Sequence, residues 1–435
     1  MNNAQIVLST CYHSAMNFTP TELGASIIFA IAVLHTFCTG YFESVAKKSP
    51  RHAGLWHLLG EVEIVFGFWA AILVIFISFY DDLSTAKAFL NKRNFTEPLF
   101  VFAIMIVAGT KPILYISTQI LHALANVLQY LFRIRSAPAL YFLTLGATPL
   151  LGSLITEPAA MTLAAFLLRD LVYRHQCSKA LLFGTLGVLF VNISIGGTLT
   201  NFAAPPVLMV ASTWGWSSAF MFSNFGLESC IAIFINALAA TLLFHRQLIE
   251  PNDNKKEAKI PLAVILMHLL FLFGVVFFAH DPIIFMWILL FFIGYTTAYP
   301  KHQSPLILKE ALLVGFFLGG LVVLGALQGW WLQPILEMMS PTAVFYGSLV
   351  LTAFTDNAAL TYLGSLVTGT SPEFKLALVG GAVAGGGLTV IANAPNPAGI
   401  AILRSHFPGH TVSALFLLIG AIPPTIVAIL AYRLI

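Results

Sequence analysis

Apolar runs recur along this chain near 24–40, 61–80, 180–198, 219–244, 260–279, 283–299, 310–329 and 411–432. Each approaches or reaches the ~20 residues that a helix needs to cross a bilayer. One such run is compatible with a buried core helix, but eight in one chain are not. Only 9% of the 435 residues are charged, against ~25% in soluble domains. The expected fold class is therefore an all-α polytopic membrane protein, a single integral membrane unit over 1–435 with no loop long enough for a soluble domain. The stretch from Thr10 to Glu22 is polar and no basic segment precedes it, so the N-terminus does not read as a cleavable signal. Cys11, Cys38, Cys177 and Cys230 stand at spacings that suggest neither disulfides nor a metal.

Two stretches within the apolar background look like copies. Residues 196–206 read GGTLTNFAAPP and residues 385–395 read GGGLTVIANAP. Without a gap they share Gly196/Gly385, Gly197/Gly386, Leu199/Leu388, Thr200/Thr389, Ala203/Ala392 and Pro206/Pro395. Glycine and proline at this density interrupt a helix. Interrupted segments at corresponding places in two halves mark the binding region of a secondary transporter.

Lys and Arg orient the halves, because cytoplasmic loops carry the basic excess. Lys47, Lys48 and Arg51 follow the first run, while the loop after the second is neutral overall. The next apolar piece, 98–128, breaks at Gly109-Thr110-Lys111-Pro112. Residues 138–168 form two short pieces joined at Thr156-Glu157-Pro158 and flanked by Arg133 and Arg135 before, Arg169, Arg174 and Lys179 after. Basic residues on both flanks suit a re-entrant hairpin that enters and leaves on one side. Residues 341–370 repeat the design around Thr355-Asp356-Asn357, between loops poor in Lys and Arg. The polar run 250–259, with Lys255, Lys256 and Lys259, separates the halves. Two halves are thus expected: 1–249, with hairpin 138–168 and broken helix 180–212, and 250–435, with hairpin 341–370 and broken helix 376–401. Fifteen Lys and Arg fall inside and five outside on this arrangement. The halves then have opposite orientations, as inverted-topology repeats require.

Within the membrane the sharpest candidates are Glu157 and Asp356. An ionisable group there is a functional candidate by default, since it costs at least ~2.5–3.5 kcal/mol at the bilayer centre. Desolvation favours the protonated carboxyl and a bound cation favours the carboxylate, so such a group can exchange one for the other. Either acid can instead simply cap the helix that follows. Neutral oxygens accompany them: Thr156, Asn192, Thr198, Thr200 and Asn201 in the first half, Thr355, Asn357, Thr389, Asn393 and Asn396 in the second. Hard oxygen donors suit Na+ far better than sulfur or imidazole would. Close helix packing explains the glycines, but not the polar residues beside them. Lys111 is a candidate counter-charge, or else snorkels to the surface. Glu61 and Glu63 open the second run and stand either at a helix start or within the membrane. His35, His122 and His268 fall in spans and His52 and His57 in a loop; each is read as packing rather than as a site.

Several classes are excluded by missing motifs. GxxxxGK[ST], HExxH, GxSxG and TVGYG are absent, so nucleotide-driven pumping, hydrolysis and potassium-type conduction have no support. No enzymatic activity, cofactor or nucleic-acid partner is expected. Na+ and H+ serve as transported or coupling ions.

The stretches GEVEIVFGFWAAIL (60–73), ITEPAAMTLAAFLLRD (155–170), NISIGGTLTNFAAPPVLMVA (192–211), FTDNAALTYLGSL (354–366) and IANAPNPAGIAIL (391–403) resemble the “putative Na+/H+ antiporter” family of bacterial membrane proteins. That family is similar to the NhaD-type antiporters of the ion transporter superfamily. The resemblance implies a scaffold domain and a transport domain, Na+ at the hairpin tips on Glu157 and Asp356, a homodimer, and a multi-pass protein of the bacterial inner membrane. Dicarboxylate carriers of the superfamily have Ser-Asn-Thr at their tips; acids at these tips disfavour an anionic substrate. The expected function is Na+ or Li+ exchange for protons by alternating access. The alternative is Na+-coupled transport of a small organic anion or amino acid.

Overall fold

The structure, a computed structural model, describes residues 18–48, 52–173, 177–250, 259–407 and 410–434. Cys11, Arg51, Arg174, Lys255 and Lys256, and the side chain of Lys47, lie outside the described residues. Every described element is helical. The chain opens with α1 (Pro20–Lys48), α2 (Ala53–Gly60), α3 (Val62–Tyr80) and α4 (Leu83–Asn91), the last capped by Asp82 accepting from the Thr85 N–H at 2.8 Å. Next come α5 (Thr96–Ala108) and α6 (Lys111–Phe132), bent by 66° where Gly109 ends one helix and Pro112 starts the other. Proline lacks the N–H that would continue the ladder, so the break is local chemistry.

The first hairpin region comprises α7 (Ser136–Leu145), α8 (Ala147–Ile155) and α9 (Glu157–Leu168). Its first arm bends by 42° between α7 and α8. Then follow α10 (Lys179–Gly196), α11 (Pro205–Trp214) and α12 (Ser218–Phe244), which contains a π-helical turn at Phe222–Gly226. The second half adds α13 (Leu262–Phe277), α14 (Pro282–Ala298), α15 (Leu308–Gly325) and α16 (Gly329–Glu337). It ends with α17 (Pro341–Thr352), α18 (Asn357–Ser365), α19 (Pro372–Gly385), α20 (Asn396–Leu403) and α21 (Ala414–Leu434). Among the described residues six helices are long and apolar enough to cross a membrane, or up to eight if each bent pair is one span. The runs at 260–279 and 283–299 give helices of 16 and 17 residues, shorter than full spans. The stretch 330–341, which has no Lys or Arg, holds most of α16.

Buried apolar side chains separate into distinct clusters. One joins α1, α3, α5, α13, α14 and α15 and takes in residues of α9, α11 and α18. The others join α6 to α12 with α17 and α19 to α21. The span Lys179–Leu199 is 89% buried, whereas those of α1 and α21 are 33% buried. The interrupted helix therefore runs through protein rather than along lipid, the condition under which non-helical backbone is tolerated at membrane depth.

The packing of the interrupted helices is reciprocal. Before its break, α10 lies against α8; after it, α11 lies against α18 of the other hairpin. Likewise α19 lies against α17 before its break, and α20 lies against α9 after it. Each hairpin thus holds the near side of its own break and the far side of the other.

Candidate functional site

The two hairpin tips are built differently. Thr156 has φ 77° and ψ 151°, a conformation that β-branched residues avoid and that persists only where surroundings impose it. Its hydroxyl caps nothing. Glu157 follows at the start of α9 and is completely buried. The Asn393 amide, from the second break, donates to Glu157 Oε2 at 2.9 Å. Gly197 of the first break lies against the same carboxylate, where a side chain would collide with it. At the second tip Asp356 caps α18, accepting at Oδ1 from the N–H groups of Ala358 at 2.7 Å and Ala359 at 3.3 Å. Capping therefore explains the position of Asp356 but not that of Glu157.

Hydrogen bonds between tips and breaks set a register that corrects the pairing of Glu157 with Asp356. The Glu157 N–H donates to Ala203 O at 3.4 Å, and the Asn357 N–H donates to Ala392 O at 3.1 Å. Thr200 Oγ1 donates to Ser153 O at 2.8 Å, and Thr389 Oγ1 to Ala353 O at 2.9 Å. Gly196 abuts the Pro149 carbonyl as Gly385 abuts that of Leu349. Since Ala203/Ala392, Thr200/Thr389 and Gly196/Gly385 are aligned pairs, Glu157 corresponds to Asn357 and Thr156 to Asp356. The acids occupy adjacent, non-equivalent positions of the two tips.

Around them stand oxygens with no hydrogen-bond partner: Thr156 Oγ1, Glu157 Oε1, Asn357 Oδ1, Asn393 Oδ1 and Asn396 Oδ1 are all buried and unpaired. A buried acceptor left unpaired costs free energy of about 1–3 kcal/mol, so their convergence from two tips and one break points to a ligand. Among the described residues the ion pairs join Lys309 to Glu61, Arg135 to Glu250 and Arg169 to Asp170. Glu157 and Asp356 thus have no basic partner there, and a buried charge needs either a counter-ion or a proton. No group of three or more His, Cys, Asp and Glu side chains able to hold a metal occurs among the described residues. The donor set is instead two carboxylates plus neutral oxygens.

A cavity of about 310 Å³ reaches Asp356 and Asn393 of this set and is also lined by Glu61 and Glu63. Glu63, which the sequence places either at a helix start or within the membrane, lines this cavity together with Asp356. The pair of Lys309 Nζ with Glu61 Oε1, at 3.0 Å, ties the start of α15 to the start of α3 beside it.

The other predicted residues sit as follows. Asn396 bridges the second break, donating to Gly386 O at 2.8 Å and Thr389 O at 2.9 Å. Asn192 donates to Leu145 O and accepts from Asn236, so its amide ties α10 to α7 and α12. Thr198 donates to Ile195 O and meets the Ser229 hydroxyl, which meets that of Tyr432. Thr355 bonds back to Leu351 O, and Asn201 turns away from the tips towards Trp216 and Ser218. Lys111 is exposed at the start of α6 and is not brought to the carboxylates. His35 and His268 have both ring nitrogens engaged, His35 by Trp69 and Leu59 and His268 by Val264 and Gln303, while His122 is exposed.

The fold and this site together describe a multi-pass helical membrane protein with acids buried at broken helices. The chain belongs to the family described as “Putative Na+/H+ antiporter”, whose profile matches residues 20–435. Membership marks it as a membrane transporter associated with cation/proton antiport. No curated protein matches the chain.

Proposed function

We propose that the protein exchanges Na+ or Li+ for H+ by alternating access, with Glu157 and Asp356 carrying either the cation or protons. The observation that carries this reading is the environment of Glu157. It is a fully buried carboxylate held by Asn393 from the other half, without a basic partner among the described residues and with Oε1 unpaired. Protons neutralise the acids in one state. Their release lets the carboxylates, with the unpaired oxygens of Thr156, Asn357, Asn393 and Asn396, take a cation in the other. Na+ suits such a set because every donor is a hard oxygen.

In this reading α7–α12 and α17–α21 form the transport domain and α1–α6 with α13–α15 the scaffold. The halves 1–249 and 250–435 are inverted repeats with re-entrant hairpins, supported by the reciprocal packing and by the distribution of Lys and Arg. The cavity beside Glu61 and Glu63 opens inward, since Lys309 lies on the basic side. A bacterial inner membrane and a homodimer, as the resemblance implies, belong to the same reading. An organic anion is disfavoured: acids line the cavity, and no basic side chain does so among the described residues. The test is collapse of an imposed pH gradient when Na+ or Li+ is added to proteoliposomes. Collapse in the wild type, lost in Glu157→Gln, is expected. A gradient indifferent to both cations would refute the proposal.

A further inference from the structure

A second cavity, of about 210 Å³, lies against the first break. It is the counterpart of the cavity already described. Asn201, Phe202 and Leu208 line it, and the gapless alignment pairs these with Val390, Ile391 and Pro397, which line the first. An acid at the start of a helix faces the break in both: Glu63 of α3 in the first, Glu97 of α5 in the second. The two cavities sit at opposite ends of the molecule. His280 lines the second, and the single helix α14, about 25 Å long at 1.5 Å per residue, separates His280 from Lys309 beside the first.

Glu97 is 9% exposed and forms no ion pair among the described residues. A first-turn acid can serve its own helix end, yet Glu97 instead turns to another element, where the Ser212 hydroxyl of α11 donates to its Oε1. Asn201 contributes an amide oxygen that accepts from Ser218 at 2.8 Å. The break residue of the second cavity is Phe202, which meets the fully buried ring of Phe100 edge-on with centroids 6.5 Å apart. Of the two tip acids Asp356 lines the first cavity, and neither lines the second.

We propose that this cavity is a second cation site, in which the carboxylate of Glu97, the hydroxyl of Ser212 and the amide oxygen of Asn201 hold an alkali cation at the end opposite to the Asp356 cavity. The Ser212 hydroxyl turns its proton away when the cation arrives and offers the oxygen now used to donate. The site deepens the exchange reading and rests on it for its purpose: it is the stop on the far side, closed off from the tips here by Phe202 and Phe100.

The experiment uses thiol labelling, which does not need exchange to occur. In the full-length chain with Cys11, Cys38, Cys177 and Cys230 replaced by serine, Ser218→Cys reports on the second cavity and Thr39→Cys on the first. A membrane-impermeant maleimide is added to one face of sealed vesicles of known sidedness. The two reporters are expected to label from opposite faces. Na+ or Li+ at about ten times its dissociation constant slows labelling at position 218 about tenfold relative to choline. Glu97→Gln removes that protection while leaving protection at position 39. Labelling of both positions from one face overturns the proposal. So does indifference of position 218 to both cations, or protection that survives Glu97→Gln. Absence of Na+-driven proton movement, with protection intact, would instead refute the exchange reading alone.

Discussion

At the scale of single residues, the site is a set of oxygens that lack partners. Glu157→Gln keeps the shape and the bond from Asn393 but removes the charge, so exchange is expected to stop while the thermal transition stays near that of the wild type. Asn393→Ala removes a bond to a carboxylate, worth about 1.5–3 kcal/mol, and one candidate ligand. Apparent Na+ affinity is then expected to fall about tenfold or more, by isothermal titration or by the Na+ dependence of exchange. Asp356 separates two roles. Asn caps helices as well as Asp does, whereas Ala costs about 1 kcal/mol. Asp356→Asn is therefore expected to fold normally and lose exchange, and Asp356→Ala to lose both exchange and stability. Both acids were legible in the sequence because charge is rare in apolar surroundings. Their non-equivalence was not: a threonine precedes each acid, which suggests a pairing one residue out of step with the hydrogen bonds of Ala203 and Ala392. Glu97 was hidden because it opens a helix, where an acid is ordinary.

At the scale of elements, glycine and proline made the interruptions visible. The breaks after Gly196 and Gly385, the hairpin tips, and the bend at Gly109-Thr110-Lys111-Pro112 all fall where composition placed them. What composition does not carry is the partner of each piece. Nothing in residues 205–214 announces that α11 leaves its own hairpin for α18, because that choice is made by shape across the whole core. Asn192 shows the same limit. An asparagine in a buried helix looks like a ligand until its bonds to Leu145 and Asn236 are seen. Gly197 tests the contact between break and tip. A methyl group there would meet the Glu157 carboxylate, so Gly197→Ala is expected to reduce exchange sharply. Gly215→Ala, with open space around it but φ +66°, is expected to cost stability of about 1 kcal/mol and leave Na+ dependence unchanged.

At the scale of the whole molecule, two cavities approach the interrupted helices from opposite ends, and only one of them reaches a tip acid, Asp356. Tyr362 of α18 donates to Val322 O of α15 at 3.2 Å, a contact across the proposed boundary between moving and fixed parts. Joining Val322→Cys to Tyr362→Cys with a short bifunctional thiol reagent is expected to arrest exchange, and cleavage of the bridge to restore it. Full exchange through an intact bridge would mean that this boundary does not slide. The number of spans was legible only approximately, because α13 and α14 are apolar yet short and two candidate spans are bent pairs.

The central claim is that one set of buried carboxylates binds Na+ and protons in turn. It is tested most directly by adding Na+ to the purified protein in weakly buffered detergent and following pH. Wild-type protein is predicted to release protons as Na+ binds, and the double variant Glu157→Gln/Asp356→Asn to release none. Na+ binding without proton release, or equal release from the double variant, would contradict the account.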